Sequence, residues 1–118
     1  PVANNRLREY SRILEFDPVT LEVVWEYANP QARYDDQGNC AEASFFSPFI
    51  SGAQRLVNGN TLVCQGSNGR IFELTPAKEI VWEYISPHVG PVNPEAGQFG
   101  STNVYRAYRI PRSWVPEG

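Results

Sequence analysis

The sequence predicts an all-β fold assembled from repeated four-stranded antiparallel units. Three observations lead there. Residues 12–27, Arg-Ile-Leu-Glu-Phe-Asp-Pro-Val-Thr-Leu-Glu-Val-Val-Trp-Glu-Tyr, return at 70–84 as Arg-Ile-Phe-Glu-Leu-Thr-Pro-Ala-Lys-Glu-Ile-Val-Trp-Glu-Tyr, and a recurrence of this length marks a repeated structural unit. The apolar runs are short, rich in β-branched and aromatic residues, and bounded by Pro, Gly and Asn-Gly, which is the punctuation of strands and turns. No stretch carries the apolar period of an amphipathic helix.

Taken in order, each copy of the repeat reads as a hairpin. Ile13 to Phe16, and Ile71 to Leu74 in the second copy, suit a strand because branched and aromatic side chains pack well on a pleated surface. Asp17-Pro18 and Thr75-Pro76 end it, since proline has no N–H for the ladder. A short polar turn around Thr20 or Lys78 leads into Val23 to Tyr27 or Ile80 to Tyr84. There the side chains alternate, with Val23, Trp25 and Tyr27 on one face and Val24 and Glu26 on the other. The copies are offset by 58 residues at Arg12 and Arg70 but by 57 at Trp25 and Trp82, so the second turn is one residue shorter. Two further strands precede the second copy. Residues 52–57 run into Asn58-Gly59-Asn60, a strong turn signal, and Thr61 to Gln65 is a short apolar strand closed by Gly66-Ser67-Asn68-Gly69.

Residues 52–85 thus spell four short antiparallel strands joined by tight turns, the pattern of one full β-propeller blade. Residues 12–27 supply the outer two strands of a preceding blade, and 103–110 the inner strand of the next, with 28–51 and 86–102 as long connections. The expectation is therefore a single partial propeller domain over 1–118, about two blades in all. So few blades cannot close a ring, and an open stack leaves sheet faces and strand edges bare. The expected partner is the remainder of the propeller, on another chain or on a segment outside this sequence, or further copies of this chain. The chain starts at Pro1 and holds no methionine, so a processed, proteolysed or truncated product is expected.

Composition removes several function classes. The 118 residues are 42% apolar and 19% charged, an ordered rather than a disordered balance. No apolar run approaches the roughly 18 residues of a membrane-spanning helix. A net charge of −3 argues against nucleic acid as a partner. Cys40 and Cys64 stand 24 residues apart with no second Cys or His beside either, so they carry no zinc spacing; a disulfide and two separate thiols both remain open. Asp35-Asp36-Gln37-Gly38-Asn39 has the carboxylates and glycine of a calcium loop but neither its alternating spacing nor its final Glu, and reads as a solvated turn. There is no phosphate-cradling Gly loop and no serine nucleophile elbow. Neither a cofactor nor a metal is expected.

Four sets of segments belong together: Tyr10 to Pro18 with Val24-Trp25-Glu26-Tyr27, Gly52-Ala53-Gln54-Arg55-Leu56 with Asn58-Gly59-Asn60-Thr61-Leu62, Gly69-Arg70-Ile71-Phe72-Glu73 with Val81-Trp82-Glu83-Tyr84, and Val104-Tyr105-Arg106-Ala107-Tyr108-Arg109 with Trp114-Val115-Pro116. They resemble the bacterial arylsulfotransferase-like family, over nearly the whole chain and in the C-terminal portion of such proteins. The resemblance implies a six-bladed propeller and a periplasmic or secreted location. It also implies transfer of a sulfuryl group from a phenolic sulfate to a phenol through a sulfated histidine, without a nucleotide donor. Many members have no demonstrated activity, and a propeller hosts unrelated functions, so a non-catalytic binding or scaffold module is the alternative.

Such chemistry needs a nucleophile, donors for the sulfonate oxygens and an acid for the leaving phenol. His88 is the one histidine and so the catalytic candidate, as nucleophile or acid/base; the plainer reading is a surface-loop histidine. Arg55 and Arg106 are the candidates for binding a sulfate or carboxylate, because both fall on strands expected to line the central channel. A structural arginine paired with a blade Glu or backbone carbonyls is their other reading. Gln54, Asn103 and Tyr105 belong to the same strands. The duplicated Trp-Glu-Tyr segments are expected to pack between blades. Glu15/Glu73 and Glu26/Glu83 recur with the repeat, which marks them as architectural.

Overall fold

In a computed structural model of the chain, residues 10–31, 33–38, 40–42, 44–90, 95 and 100–117 are described, 33–34 and 40–42 by their backbone alone. The protein is all-β, with short 3-10 turns at Gly66–Asn68 and Arg112–Trp114. It falls into two compact units that divide between Pro48 and Phe49.

In the first unit, β1 (Arg12–Phe16) pairs antiparallel with β2 (Val23–Ala28). The loop between them is built on Asp17, whose carboxylate accepts the N–H groups of Val19 at 2.7 Å and Thr20 at 3.0 Å. The bond from Thr20 first, then that from Val19, hold the Asp17 carboxyl below its ordinary pKa. Tyr27 is buried against Phe45, with ring centres 5.6 Å apart. A short ribbon, β3 (Arg33–Tyr34) with β4 (Cys40–Glu42), lies where the sequence suggests only connection. Asp35 heads its turn, accepting the N–H of Gln37 on Oδ1 and that of Gly38 on its carbonyl.

The second unit is a four-stranded antiparallel meander in the order β5 (Ser51–Arg55), β6 (Thr61–Gln65), β7 (Arg70–Leu74), β8 (Ile80–Ile85). The four strands expected over 52–85 all form, within one or two residues of their predicted ends. The central strands are the core: Leu62, Val63, Cys64, Phe72 and Leu74 are buried. Cys64 is a free thiol whose pKa is raised by burial. The expected strand at 103–110 does not form. Residues 100–111 have no regular secondary structure; they lie against the meander, and the Val104 N–H donates to the Gly66 carbonyl at 2.9 Å. A strand needs a ladder neighbour, and here the Val104 N–H goes to a turn while the Arg109 N–H and carbonyl go to the Gln54 side chain.

The two sequence copies are also structural copies. Both hairpins carry one extra residue in the second strand, Val24 opposite Glu15/Phe16 and Val81 opposite Glu73/Leu74, a bulge that deepens the twist. Both loops place a non-glycine residue at positive φ in the equivalent position, Leu21 at 62° and Lys78 at 70°. Both hairpins pair the first arginine with a glutamate on the second strand, Arg12 with Glu26 at 3.3 Å and Arg70 with Glu83 at 2.7 Å. Burial separates them. Phe72 and Leu74 are 0% exposed, whereas their counterparts Leu14 and Phe16 are 41% and 54% exposed. In the second copy β5 and β6 extend the sheet beside β7; among the described residues nothing equivalent adjoins β1.

A Cβ on Gly66 would collide with the carbonyls of Ile50 and Val104, while one on Gly52 meets nothing. Gly66→Ala should therefore lose about 2 kcal/mol or more in urea unfolding, and Gly52→Ala should stay within about 0.5 kcal/mol. Thr61 Oγ1 is buried with no hydrogen-bond partner among the described residues, so Thr61→Val should stabilise by about 1 kcal/mol in the same assay.

Candidate functional site

The last residues of β5 face the 101–111 segment. The Gln54 carboxamide clasps the Arg109 backbone: Oε1 accepts its N–H at 2.8 Å and Nε2 donates to its carbonyl at 3.2 Å. A side-chain amide offers the same donor and acceptor pair as a peptide unit, so Gln54 holds this segment as a ladder neighbour would. Arg109 reaches onward to β7, where its Nη1 lies 2.7 Å from Glu73 Oε2. The other carboxylate oxygen of Glu73 accepts from Asn60 Nδ2 at 2.8 Å. Asn60 first, then Arg109, hold the Glu73 carboxyl below its ordinary pKa, because each favours the charged form. The Arg109 guanidinium also stands 5.7 Å from the centre of the Trp82 ring.

Between these walls lies a cleft of about 700 Å³. Residues 54–58 form one side, and Tyr108 to Pro111 with Trp114 form the other. The sides are related in sequence: Ile50-Ser51-Gly52-Ala53-Gln54-Arg55-Leu56 is echoed by Val104-Tyr105-Arg106-Ala107-Tyr108-Arg109-Ile110. Arg55 and Arg109 occupy equivalent positions and both line the cleft. The remaining wall is mainly apolar, from Leu56, Val57, Ile110, Pro111 and Trp114. The lining holds two guanidinium groups and no carboxylate, histidine, serine or cysteine. Such a site can hold an apolar body bearing an anion; its one hydroxyl is the Tyr108 phenol, with no base among the lining residues beside it.

Of the residues singled out from sequence, Gln54 and Arg55 meet here. Arg55 Nη1 also donates to the Gly59 carbonyl at 2.9 Å, bracing the β5–β6 turn. Arg106 lies outside the lining, with its guanidinium 5.7 Å and 5.8 Å from the ring centres of Tyr105 and Tyr108. Tyr105 is 70% exposed, and the exposed Asn103 donates its N–H to Ser101 Oγ. His88 is in an exposed loop, also outside the lining, with its N–H on Ser86 Oγ at 3.4 Å. Trp82, expected to pack between blades, is 44% exposed and faces Arg109. Sequence reasoning named Glu73 only as architectural and missed Arg109 and Trp114. The signal for Arg109 was its equivalence with Arg55, which the bulkier neighbours Tyr105, Arg106 and Tyr108 obscure. Among the described residues, no group of three His, Cys, Asp or Glu is placed to hold a metal ion. No helix among them is long and apolar enough to cross a membrane.

The depressed Glu73 pKa gives a signed pH dependence. An unfolded glutamate titrates at about 4.3. The stability contributed by this site is complete above that value and is lost as pH falls through the lower folded pKa. Glu73→Gln should lower the urea midpoint at neutral pH and flatten its decline below about pH 4.3. A variant with the wild-type acid decline would show that Glu73 is not the group responsible. No family model, no curated protein and no solved structure matches this chain.

Proposed function

We propose that this chain is part of a β-propeller of the arylsulfotransferase-like kind, contributing to sulfuryl transfer from a phenolic sulfate to a phenol. The observation that carries the propeller reading is the hairpin built twice with one bulge position, one left-handed loop position and one Arg–Glu pair. In its second copy this hairpin forms the outer half of a four-stranded meander, as in a blade. The half-exposed face of Leu14 and Phe16 is then the place for two inner strands of the kind that β5 and β6 supply to Phe72 and Leu74. The sulfuryl-transfer reading rests on the resemblance of the quoted segments, and an exported location goes with it.

In this reading a histidine nitrogen attacks sulfur, the S–O bond to the donor phenol breaks, and that oxygen takes a proton as it leaves. The acceptor phenol oxygen then attacks the same sulfur and frees the histidine. The cleft lining has no histidine and His88 stands in an exposed loop outside it, so in this reading the reacting histidine belongs to the remainder of the propeller, and this chain contributes scaffold and arginines. The same lack of a histidine in the lining favours the second reading, a propeller that binds without catalysis.

Native mass beside denaturing mass tests the architecture. The chain should travel with a larger protein or as a defined oligomer; a folded monomer of 13.3 kDa overturns the propeller reading. Turnover of a chromogenic aryl sulfate with a phenol acceptor, assayed on the completed assembly, tests the chemistry. The expected result is turnover that survives His88→Ala. Loss of turnover in a folded His88→Ala assembly would return His88 to the mechanism. Absence of turnover across phenol pairs would leave the binding module as the function.

A further inference from the structure

We propose that β1 is a docking edge for one further antiparallel strand, set in the register that β6 holds on β7. The strand comes from the remainder of the propeller and has the chemistry of residues 51–65. The inference rests on the propeller reading and deepens it by naming the partner strand residue by residue. Its first support is the pair of structural copies. β1 shares the bulge, the loop backbone and the Arg–Glu pair of β7. Yet among the described residues β1 pairs with β2 alone, while β7 lies between β6 and β8. An edge strand presents ladder groups to an incoming strand, and strand addition is a common way for one protein segment to hold another. The chain's own β6 is already paired on both edges, with β5 and β7, so the occupant is a different segment.

The second support is charge complementarity. Arg70 donates from Nε to Glu83 at 2.8 Å and from Nη1 to the Gln65 carboxamide oxygen at 3.2 Å. Its pairing with the glutamate of one neighbouring strand thus leaves a nitrogen for the strand on the other side. Arg12 pairs with Glu26 through Nη1 at 3.3 Å, and among the described residues its guanidinium has no second partner. A guanidinium has five donors, so an acceptor placed as Gln65 is on β6 completes Arg12 as Gln65 completes Arg70.

The third support is the covering itself. Phe72 and Leu74 are fully buried, while Leu14 and Phe16 at the same two positions are exposed. The positions hold the same two side chains in exchanged order, so the apolar volume to be covered is unchanged, and swaps of that kind are tolerated by packing. Carrying the β6–β7 pairing across by the 58-residue offset fixes the register. The docking strand sets residues like Thr61, Leu62, Val63, Cys64 and Gln65 against Phe16, Glu15, Leu14, Ile13 and Arg12. A slip of one residue would turn the wrong face of the strand toward Leu14 and Phe16 and carry the acceptor away from Arg12.

The test adds a synthetic peptide of residues 51–65, with Cys64→Ser to prevent oxidation, to the isotopically labelled full chain produced alone, and reads amide shifts. The expected result is saturable one-to-one binding that shifts the amides of 12–16. A peptide that also carries Val63→Pro cannot pair through its central residue and should bind about 10-fold more weakly or worse. A peptide with Gln65→Ala should bind about 5-fold more weakly, because Arg12 loses its acceptor. All these changes lie in the peptide and leave the fold of the chain untouched. Absence of binding, shifts at 70–74 in place of 12–16, or equal affinity for either altered peptide would each overturn the proposal. So would β1 amides that are all slow to exchange before peptide is added, which would show the edge covered by another part of the chain. Concentration-dependent shifts at 12–16 without peptide would overturn it too, by giving the edge to a second copy. A chain that travels with a larger protein but takes no peptide at 12–16 keeps the propeller reading and loses this docking edge. A monomeric chain that takes the peptide there does the reverse.

Discussion

Glu73, the penultimate residue of β7, has a side chain only 9% exposed, and a carboxylate so placed must be compensated by hydrogen bonds and opposite charge. Asn60 and Arg109 provide both. The consequences reach in two directions. Asn60 belongs to the β5–β6 turn, so one carboxylate oxygen anchors the wall that carries Arg55 and Val57. Arg109 belongs to a segment with no ladder of its own, so the other oxygen anchors the opposite wall. Both walls of the cleft are thus tied to the same carboxylate. Gln54 then adds a second attachment through the Arg109 backbone, which positions the chain independently of the Arg109 side chain.

The duplicated hairpin shows how one geometry is reached with different side chains. In the longer loop, Asp17 accepts two backbone N–H groups and Thr20 Oγ1 accepts the Glu22 N–H. In the shorter loop, Thr75 Oγ1 accepts the Glu79 N–H instead. Both then place a residue in the left-handed region, Leu21 or Lys78, where an L side chain is strained. The strain recurs because the bulge and the strand exit demand that backbone turn. The repeated Arg–Glu pair differs in environment: Arg12 is about a third exposed, while Arg70 is buried and also bonded to Gln65 and stacked on Phe72. Surface ion pairs contribute little, so what these two share is placement rather than strength.

The β8 edge is the counterpart of the buried centre. Its six residues are all exposed, and five of them are apolar or aromatic. An edge of that kind invites a neighbour unless charge or twist blunts it. The bulge at Val81 supplies twist, and Glu83, drawn onto Arg70, supplies little free charge.

Much of the fold is legible in the amino-acid pattern. Strand positions follow from β-branched runs, proline stops and Asn-Gly turns, because these signals act within a few residues and need no tertiary context. The repeat shows that the two hairpins are alike, down to the one-residue difference in their loops. Burial is not legible there: Leu14 and Phe72 stand at the same place in the same motif, and only the strands added beside β7 hide one and leave the other exposed. Nor is the cleft. Gln54 and Arg55 can be named from their strand, but their meeting with Arg109 and Trp114 depends on a segment that abandons its ladder and crosses the Gly66 turn. That crossing is possible because Gly66 has no Cβ where the carbonyls of Ile50 and Val104 approach. The elements and their kinship are written in the residue pattern, since both are set by near neighbours in the chain. Which faces are covered and which distant side chains converge is set by packing, since that depends on what lies beside what.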